Sequence, residues 1–304
     1  MNEANELDLE RYRNKRKRVK KMKSGIMGFL LIWVLISTIV MSFLVYKVYS
    51  LQKQMNSILN GTKTTSLSSS SVKNIDSRLV QGNSGADEEN LRAPDDVLKV
   101  YLTFDDGPSN NSNQILDILD DYNVKATFFV NGREDENSLA VYKRIADEGH
   151  SIGMHSYSHK YKDLYKSLDS FIEDTNRIHQ LILDTTGQDC KLYRFPGGSS
   201  NQVSDTDMSQ YIAYLNDNHI RYMDWNVSSG DASSSQYTAD DVIENVMKDV
   251  VRYKTSVVLM HDANTKNATV EALPRLIERL RAEGAIILPI TDETKLIQHV
   301  TLDK

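Results

Sequence analysis

Cysteine is almost absent from this 304-residue chain: Cys190 stands alone, so no disulfide can form within it. That count neither supports nor excludes an oxidising, extracellular setting. There is no Gly-rich phosphate loop and no Walker pattern, so the sequence signs of a nucleotide-binding or phosphate-binding enzyme are missing. Internal repeats are missing too. Basic residues are scarce outside one short run. Nine Lys or Arg crowd residues 11–23, whereas residues 24–304 hold 27 basic against 38 acidic side chains, a net charge of −11. So acidic a body argues against nucleic acid as a partner, because surfaces that bind phosphate backbones are basic.

One long apolar run stands out. Ile26 to Tyr46 is almost wholly apolar and carries no charge. At about 1.5 Å of rise per residue, roughly 20 helical residues cross the ~30 Å hydrocarbon layer of a bilayer. Trp33 lies within the run, and Tyr46 and Tyr49 lie near its far end, where aromatic side chains favour the membrane interface. The basic run Arg11 to Lys23 directly before it predicts a cytoplasmic N-terminus and an exported remainder. A cleaved signal peptide would have a shorter apolar region followed by small residues. Lys47-Val48-Tyr49 follows here, which favours an uncleaved anchor. The expected organisation is a cytoplasmic basic tail (1–24), a single transmembrane helix (25–47), a flexible stalk (48–92) and a folded domain (93–304). The stalk is rich in serine over Ser66 to Ser71 and small and polar over Gly82 to Asn90, too poor in apolar surface to offset its ordering entropy. A tether of about 40 residues reaches on the order of 35 Å root mean square. It would hold the domain near the membrane while that domain works on a polymer outside.

From residue 93 onward, strand-like runs alternate with helix-like ones. Strands are expected over 97–103, 125–130, 151–154, 191–195, 220–223, 256–260 and 285–288. Helices are expected over 113–122, 138–148, 168–184, 207–216, 240–253 and 270–282. Alternating strands and helices imply a parallel sheet. Seven strands in roughly 200 residues suit an α/β fold, a distorted (β/α)7–8 barrel that is closed or nearly so. In such folds chemistry gathers at the C-terminal ends of the strands. The polar residues of note all fall there: Asp105-Asp106, His155 with His159, Arg194, Asp224 and His261-Asp262.

Two of these groups suggest chemistry by themselves. Thr103-Phe104-Asp105-Asp106-Gly107-Pro108 puts two adjacent carboxylates where an apolar strand meets a turn. At a turn one acid can face a metal and the other a reacting water. His155-Ser156-Tyr157-Ser158-His159 spaces two imidazoles at i and i+4, neighbours on a helical turn and close enough to share one ion. A carboxylate from another strand end would complete a two-His-one-carboxylate set with positions left open for water and substrate. A closed structural zinc site would need a fourth ligand, and Cys190 is far in sequence from both groups. His150, His179, His219 and His299 lack such company and are expected to be core or surface residues.

These stretches, with Arg194-Phe195-Pro196-Gly197-Gly198, Asp224-Trp225-Asn226 and Leu259-Met260-His261-Asp262, resemble in order and spacing the five motifs of the polysaccharide deacetylases. These are the NodB-homology domains of carbohydrate esterase family 4, and the resemblance covers about residues 95–300. With the anchor, the chain is similar to the membrane-bound peptidoglycan N-acetylglucosamine deacetylases of Gram-positive bacteria. The resemblance implies one divalent ion, usually zinc and sometimes cobalt or another metal, on Asp106, His155 and His159. It implies Asp105 as general base, His261 as general acid and Arg194 as the partner that holds Asp105 ionised and oriented. It implies that Asp224 orients His261, that the backbone N–H of Gly197 faces the reacting oxygen, and that Trp225 and Leu259 enclose the acetyl methyl. The Ser228-Ser229-Gly230-Asp231 loop is expected to touch sugar, and Asp262 to support structure near His261.

Phe195 and Gly197 depart from the commoner Arg-Pro-Pro-Tyr pattern. A backbone donor survives that change, but a tyrosine side chain that would wall the groove does not. Arg221 stands where the family usually has an acid three residues before Asp224. The expected activity is metal-dependent removal of acetyl from N-acetylglucosamine in peptidoglycan. N-acetylmuramic acid, chitin-like or O-acetylated glycans are the alternative substrates, and a non-catalytic wall-binding module is the reading outside enzymology.

Overall fold

The computed structural model describes residues 96–302, apart from residue 205 and residues 234–236. The expected transmembrane helix and stalk lie outside the described residues, among which no helix is long and apolar enough to cross a membrane.

The strands form where branched and aromatic residues run uninterrupted. β1 (Lys99–Asp105) is buried at every position but its first, as befits a central strand covered on both faces. It is followed by α1 (Ser112–Asp121), β2 (Thr127–Asn131), α2 (Glu136–Asp147), β3 (Ser151–Ser156) and a single helical turn, α3 (Tyr161–Leu164). Then come α4 (Leu168–Thr186), β4 (Leu192–Tyr193), α5 (Met208–Asp217), β5 (Arg221–Tyr222), β6 (Val227–Ser228), α6 (Ala239–Val250), β7 (Thr255–His261), α7 (Asn267–Ala282) and β8 (Ile286–Ile287). Helix starts are capped by their own sequence. Asp135 accepts from Ser138 N–H before α2, Ser167 from Ser170 N–H before α4, and Thr238 with Asp241 makes a capping box before α6.

All strand pairs are parallel, in the order β5-β4-β3-β2-β1-β7-β6. β7 accompanies β1 along its whole length, while β8 pairs with β1 at Lys99–Val100 and β2 pairs with it from Thr103 to Asp105. The seven expected strands are present. β6 is an eighth that was not expected: unlike the other two-residue strands, it sits in no longer apolar run, with Asn226 before it and Ser229-Gly230 after. The expectation of a closed or nearly closed barrel needs correction, because β5 and β6 end the path and do not pair. The C-terminal segment lies along the free edge of β5 instead. Asp224 N–H donates to Ile297 O, Gln298 Nε2 to Tyr222 O and Tyr222 Oη to Val300 O. Arg221 joins this tether, donating to the carbonyls of Thr291 and Asp292. That is its place in the fold, where an acid could not act as donor.

Alternation along β1 sorts the two faces of the sheet. Val100, Leu102 and Phe104 belong to the apolar core shared with Ile115, Leu116, Leu276 and Ile277 of the helices. Thr103 and Asp105 face the other way, into the hollow of the curved sheet, with Leu259 and His261 beside them in register on β7.

Candidate active site

Arg194, just beyond β4, is fully buried in that hollow. Its guanidinium lies 4.0 Å from the Phe129 ring centroid. It donates to Asp105 Oδ1 (2.9 Å), Thr103 Oγ1 (2.6 Å), Met223 O (2.9 Å) and Asp224 O (3.0 Å). A buried charge of this kind needs such company, since an unpaired one is strongly destabilising. The backbone of the same residue does a second job: its carbonyl accepts from His155 Nδ1 at 2.8 Å. A carbonyl only accepts, so Nδ1 carries the proton and His155 Nε2 presents its lone pair.

That lone pair meets two others. His159 Nε2 lies 3.0 Å and His155 Nε2 3.7 Å from Asp106 Oδ1. One donor atom from each of Asp106, His155 and His159 lies within 4.8 Å of the others, so one small cation can touch all three. The two imidazoles do not sit on a helical turn, as their i, i+4 spacing suggested. His155 is the penultimate residue of β3, and His159 follows in a tight loop with φ of 49°. Asp106 likewise has φ of 77°, in the left-handed region that Asp tolerates better than most. Gly107 follows because a Cβ there would stand 2.3 Å from Asp262 Oδ2.

Electrostatics favour the protonation states a cation needs. Burial raises the pKa of Asp106, but His155, His159, His261 and the hydrogen bond from Asn131 together bring the net direction down. Burial lowers the pKa of His155, more than Asp105 and Asp106 raise it. A low imidazole pKa and a low carboxyl pKa are what ligation requires.

On the opposite rim, beside Asp105 in register, is His261. Its orienting carboxylate is Asp231, not Asp224. His261 Nδ1 donates to Asp231 Oδ1 at 2.7 Å, and His261 N–H donates to Oδ2 at 2.8 Å. Thr269 Oγ1 adds a third bond and Lys266 Nζ binds the Asp231 carbonyl. Asp231 is 1% exposed and so is committed to His261 rather than to sugar, while Ser228 of the same loop is exposed. Burial lowers the His261 pKa, but the hydrogen bond and charge of Asp231 override it and the net direction is up. Asp231 moves down through the same bond, against its burial. Asp224 does something else. Fully buried, it accepts from Ser199 N–H and Oγ and from His299 N–H, pinning the loop after β4 to the C-terminal segment. Asp262 ties the end of β7 to the turn after β1, accepting from Ser109 and Ser112 before and at the start of α1 and donating its N–H to Asp105 O.

The remaining residues line the mouth. Gly197 has φ of 80°, and a Cβ on it would stand 3.3 Å from the Tyr161 ring. Tyr161 itself packs edge-on against His159. Trp225 lies beside Gly198 and edge-on to His299, and Leu259 is 7% exposed on the hollow side of β7. Phe195 is core, stacked on Phe171. Sequence reasoning missed Asp231 as the partner of His261 because it follows β6, which has no sequence signature. The only available signal was an acid soon after an apolar pair, Trp225 and Val227.

A half-barrel of parallel strands with two carboxylates, two imidazoles and a buried arginine at its C-terminal ends defines a carbohydrate esterase type of α/β hydrolytic domain. The polysaccharide deacetylase model matches residues 93–214. The catalytic domain of a peptidoglycan N-acetylglucosamine deacetylase from Eubacterium rectale superimposes with a TM-score of 0.65 at 37% identity, over 70% of this chain and 97% of that one. A Bacillus subtilis protein named as a polysaccharide deacetylase is 36% identical over 190 residues, 61% of this chain and 64% of the relative, so the chain spans less than two thirds of that protein. The peptidoglycan-N-acetylmuramic acid deacetylase PdaA of Bacillus subtilis is 29% identical, over 64% of this chain and 70% of the relative. The chain belongs to the polysaccharide deacetylases, the NodB-homology domains of carbohydrate esterase family 4.

Proposed function

We propose that this domain hydrolyses the acetamide of N-acetylglucosamine residues in peptidoglycan, releasing acetate and leaving free amines. The observation that carries the reading is one shared mouth. The Asp106, His155 and His159 donor set stands there beside an arginine-braced carboxylate, Asp105, and a carboxylate-braced imidazole, His261.

Asp106 and the Nε2 atoms of His155 and His159 would hold a divalent ion. The donor set fits zinc best, with cobalt or another divalent ion as substitutes. When bound, such an ion supplies Lewis-acid polarisation of the acetamide carbonyl and lowers the pKa of a water. Asp105 accepts the proton of the attacking water, held in place by Arg194 Nη1. Two carboxylates are needed because one cannot be both tight ligand and base. The N–H of Gly197 faces the carbonyl oxygen as charge builds on it. His261, its Nδ1–H bound to Asp231, keeps Nε2 for the departing amine and donates the proton that makes it a leaving group. Leu259 and Trp225 offer apolar surface for the acetyl methyl.

The apolar run at residues 26–46 and the basic run before it support a single-pass anchor, with a cytoplasmic N-terminus and the domain facing the wall on its stalk. The partners are then the glycan strands and the membrane, with no nucleic acid and no nucleotide. N-acetylmuramic acid is the second substrate reading, favoured by the likeness to PdaA. One experiment separates them: mass spectrometry of wall muropeptides digested with and without the protein. Loss of one acetyl from the glucosamine confirms the proposal, loss from the muramic acid installs the second reading, and no loss from either defeats both.

A further inference from the structure

The loop between the two ligand imidazoles is clamped from outside the site. Asp174, on the inward face of α4, is 8% exposed, and its carboxylate accepts three hydrogen bonds. Oδ1 takes Ser156 Oγ (2.8 Å) and Tyr157 N–H (2.7 Å), and Oδ2 takes Ser158 N–H (2.9 Å). All three donors belong to the residues that join His155 to His159. The Ser156 hydroxyl is used twice: it donates to Asp174 and accepts from His159 N–H at 2.8 Å. A hydroxyl has one proton to give, so committing it to Asp174 turns its lone pairs toward His159.

The chain needs this help. His159 sits at φ of 49°, an unfavourable region for a residue with a side chain, and such conformations persist only where the surroundings over-determine them. Relaxing that torsion would swing the His159 ring away from Asp106, whose Oδ1 lies 3.0 Å from Nε2. Metal–ligand bonds tolerate a few tenths of an ångström, so affinity is sensitive to this loop.

We propose that Asp174, acting through Ser156, is a positioning residue for the cation site: it fixes the left-handed turn that brings His159 into range of Asp106 and His155. This rests on reading those three as ligands. Asparagine cannot substitute for it fully, because its NH2 group would face at least one of the three donors and leave that donor unpaired.

The test measures Zn2+ affinity of the full-length chain in detergent by competition with a chromogenic chelator, for wild type, Asp174→Asn and Ser156→Ala, with circular dichroism as the check on folding. The expected result is one ion per wild-type chain and an affinity about 10- to 100-fold weaker in Asp174→Asn, as for other groups that orient metal ligands. Ser156→Ala should fall in the same direction by a smaller factor. Turnover of both variants should recover as Zn2+ approaches saturation, which a purely structural lesion would not allow. Folded Asp174→Asn with wild-type affinity overturns the proposal. If that variant does not fold, Ser156→Ala decides, and wild-type affinity there overturns it as well. A wild-type chain that binds no ion instead defeats the ligand reading.

Discussion

His155 and His261 lie at the C-terminal ends of β3 and β7, both are largely enclosed, and their pKa values move in opposite directions. The difference lies in what each Nδ1 meets. For His155 it is the neutral carbonyl of Arg194, so burial wins and the pKa moves down. For His261 it is the carboxylate of Asp231, so attraction wins over burial and the pKa moves up. One fold thus tunes the same side chain in two directions by choosing the acceptor behind it, which suits the ligand and acid roles proposed for the pair. The pattern of paired groups with opposed shifts is how acid and base roles are assigned.

The largest effect should come from the ligand side. His155→Ala removes one of three donor atoms and is expected to abolish metal retention and acetate release together. Metal content after purification and an acetate assay check this, and full activity in metal-free buffer breaks the comparison outright. Asp105→Asn should keep most of the metal and lose turnover, by roughly 10²- to 10⁴-fold if proton removal by this group is what is lost. Retained turnover would remove Asp105 as base.

The acid side is sharpened by exchanging Asp231 for Asn, which leaves a neutral acceptor behind His261, like the one behind His155. His261 should then lose its raised pKa, and the alkaline limb of the kcat/KM profile should move to lower pH. Asp224→Asn is the control. It should leave that profile in place and cost stability instead, about 1–3 kcal/mol, because three donors in a buried site lose part of their acceptor. Linkage gives a second signature. The His261–Asp231 pair raises the folded-state pKa above 6.5, so its contribution is fully present below 6.5 and fades as pH climbs through the raised value. Asp231→Asn should flatten that alkaline loss of stability.

A third imidazole shows the neutral case without function. His150 is buried, its Nδ1 accepts from Ala126 N–H, and burial with the charges of Lys125 and Arg144 pushes its pKa down to about 4. The unfolded chain binds a proton near 6.5 and the folded one does not. Stability is therefore present above 6.5 and lost as pH falls toward 4, by about 3 kcal/mol at ~1.4 kcal/mol per pH unit. Denaturant melts of wild type and His150→Gln at pH 7 and pH 4.5 measure it, the variant losing less on acidification. The smallest change is at the mouth. Gly197→Ala puts a methyl at φ of 80° and 3.3 Å from Tyr161, a strain of about 1–2 kcal/mol that should lower kcat/KM without shifting its pH profile.

Legibility in the sequence followed sequence distance. Strands of five residues or more, such as β1 and β7, bury enough branched side chains to be seen from composition, and every helix of ten residues or more shows its apolar stripe. Asp105, Asp106, His155 and His159 were legible because each pair is local and the backbone around it is short. Arg194 was legible from the motif around it. Asp231 was not, because its relation to His261 spans 30 residues and depends on how a two-residue strand pairs with β7. Asp224 looked like that partner because it also ends a strand, and only the C-terminal segment, bonded to it through His299 N–H, shows where its oxygens point. The open sheet was illegible for the same reason: whether β5 meets β6 is a matter of curvature, which no residue pattern states.

The strip laid along β5 has a practical meaning for handling the protein. Cutting the chain back to residue 289 would bare the peptide groups now bonded to Ile297 and Gln298, together with Tyr222. An uncovered strand edge is a template for a second molecule. Shortened versions should therefore clump, and purification handles belong beyond the last residue rather than in place of the tail.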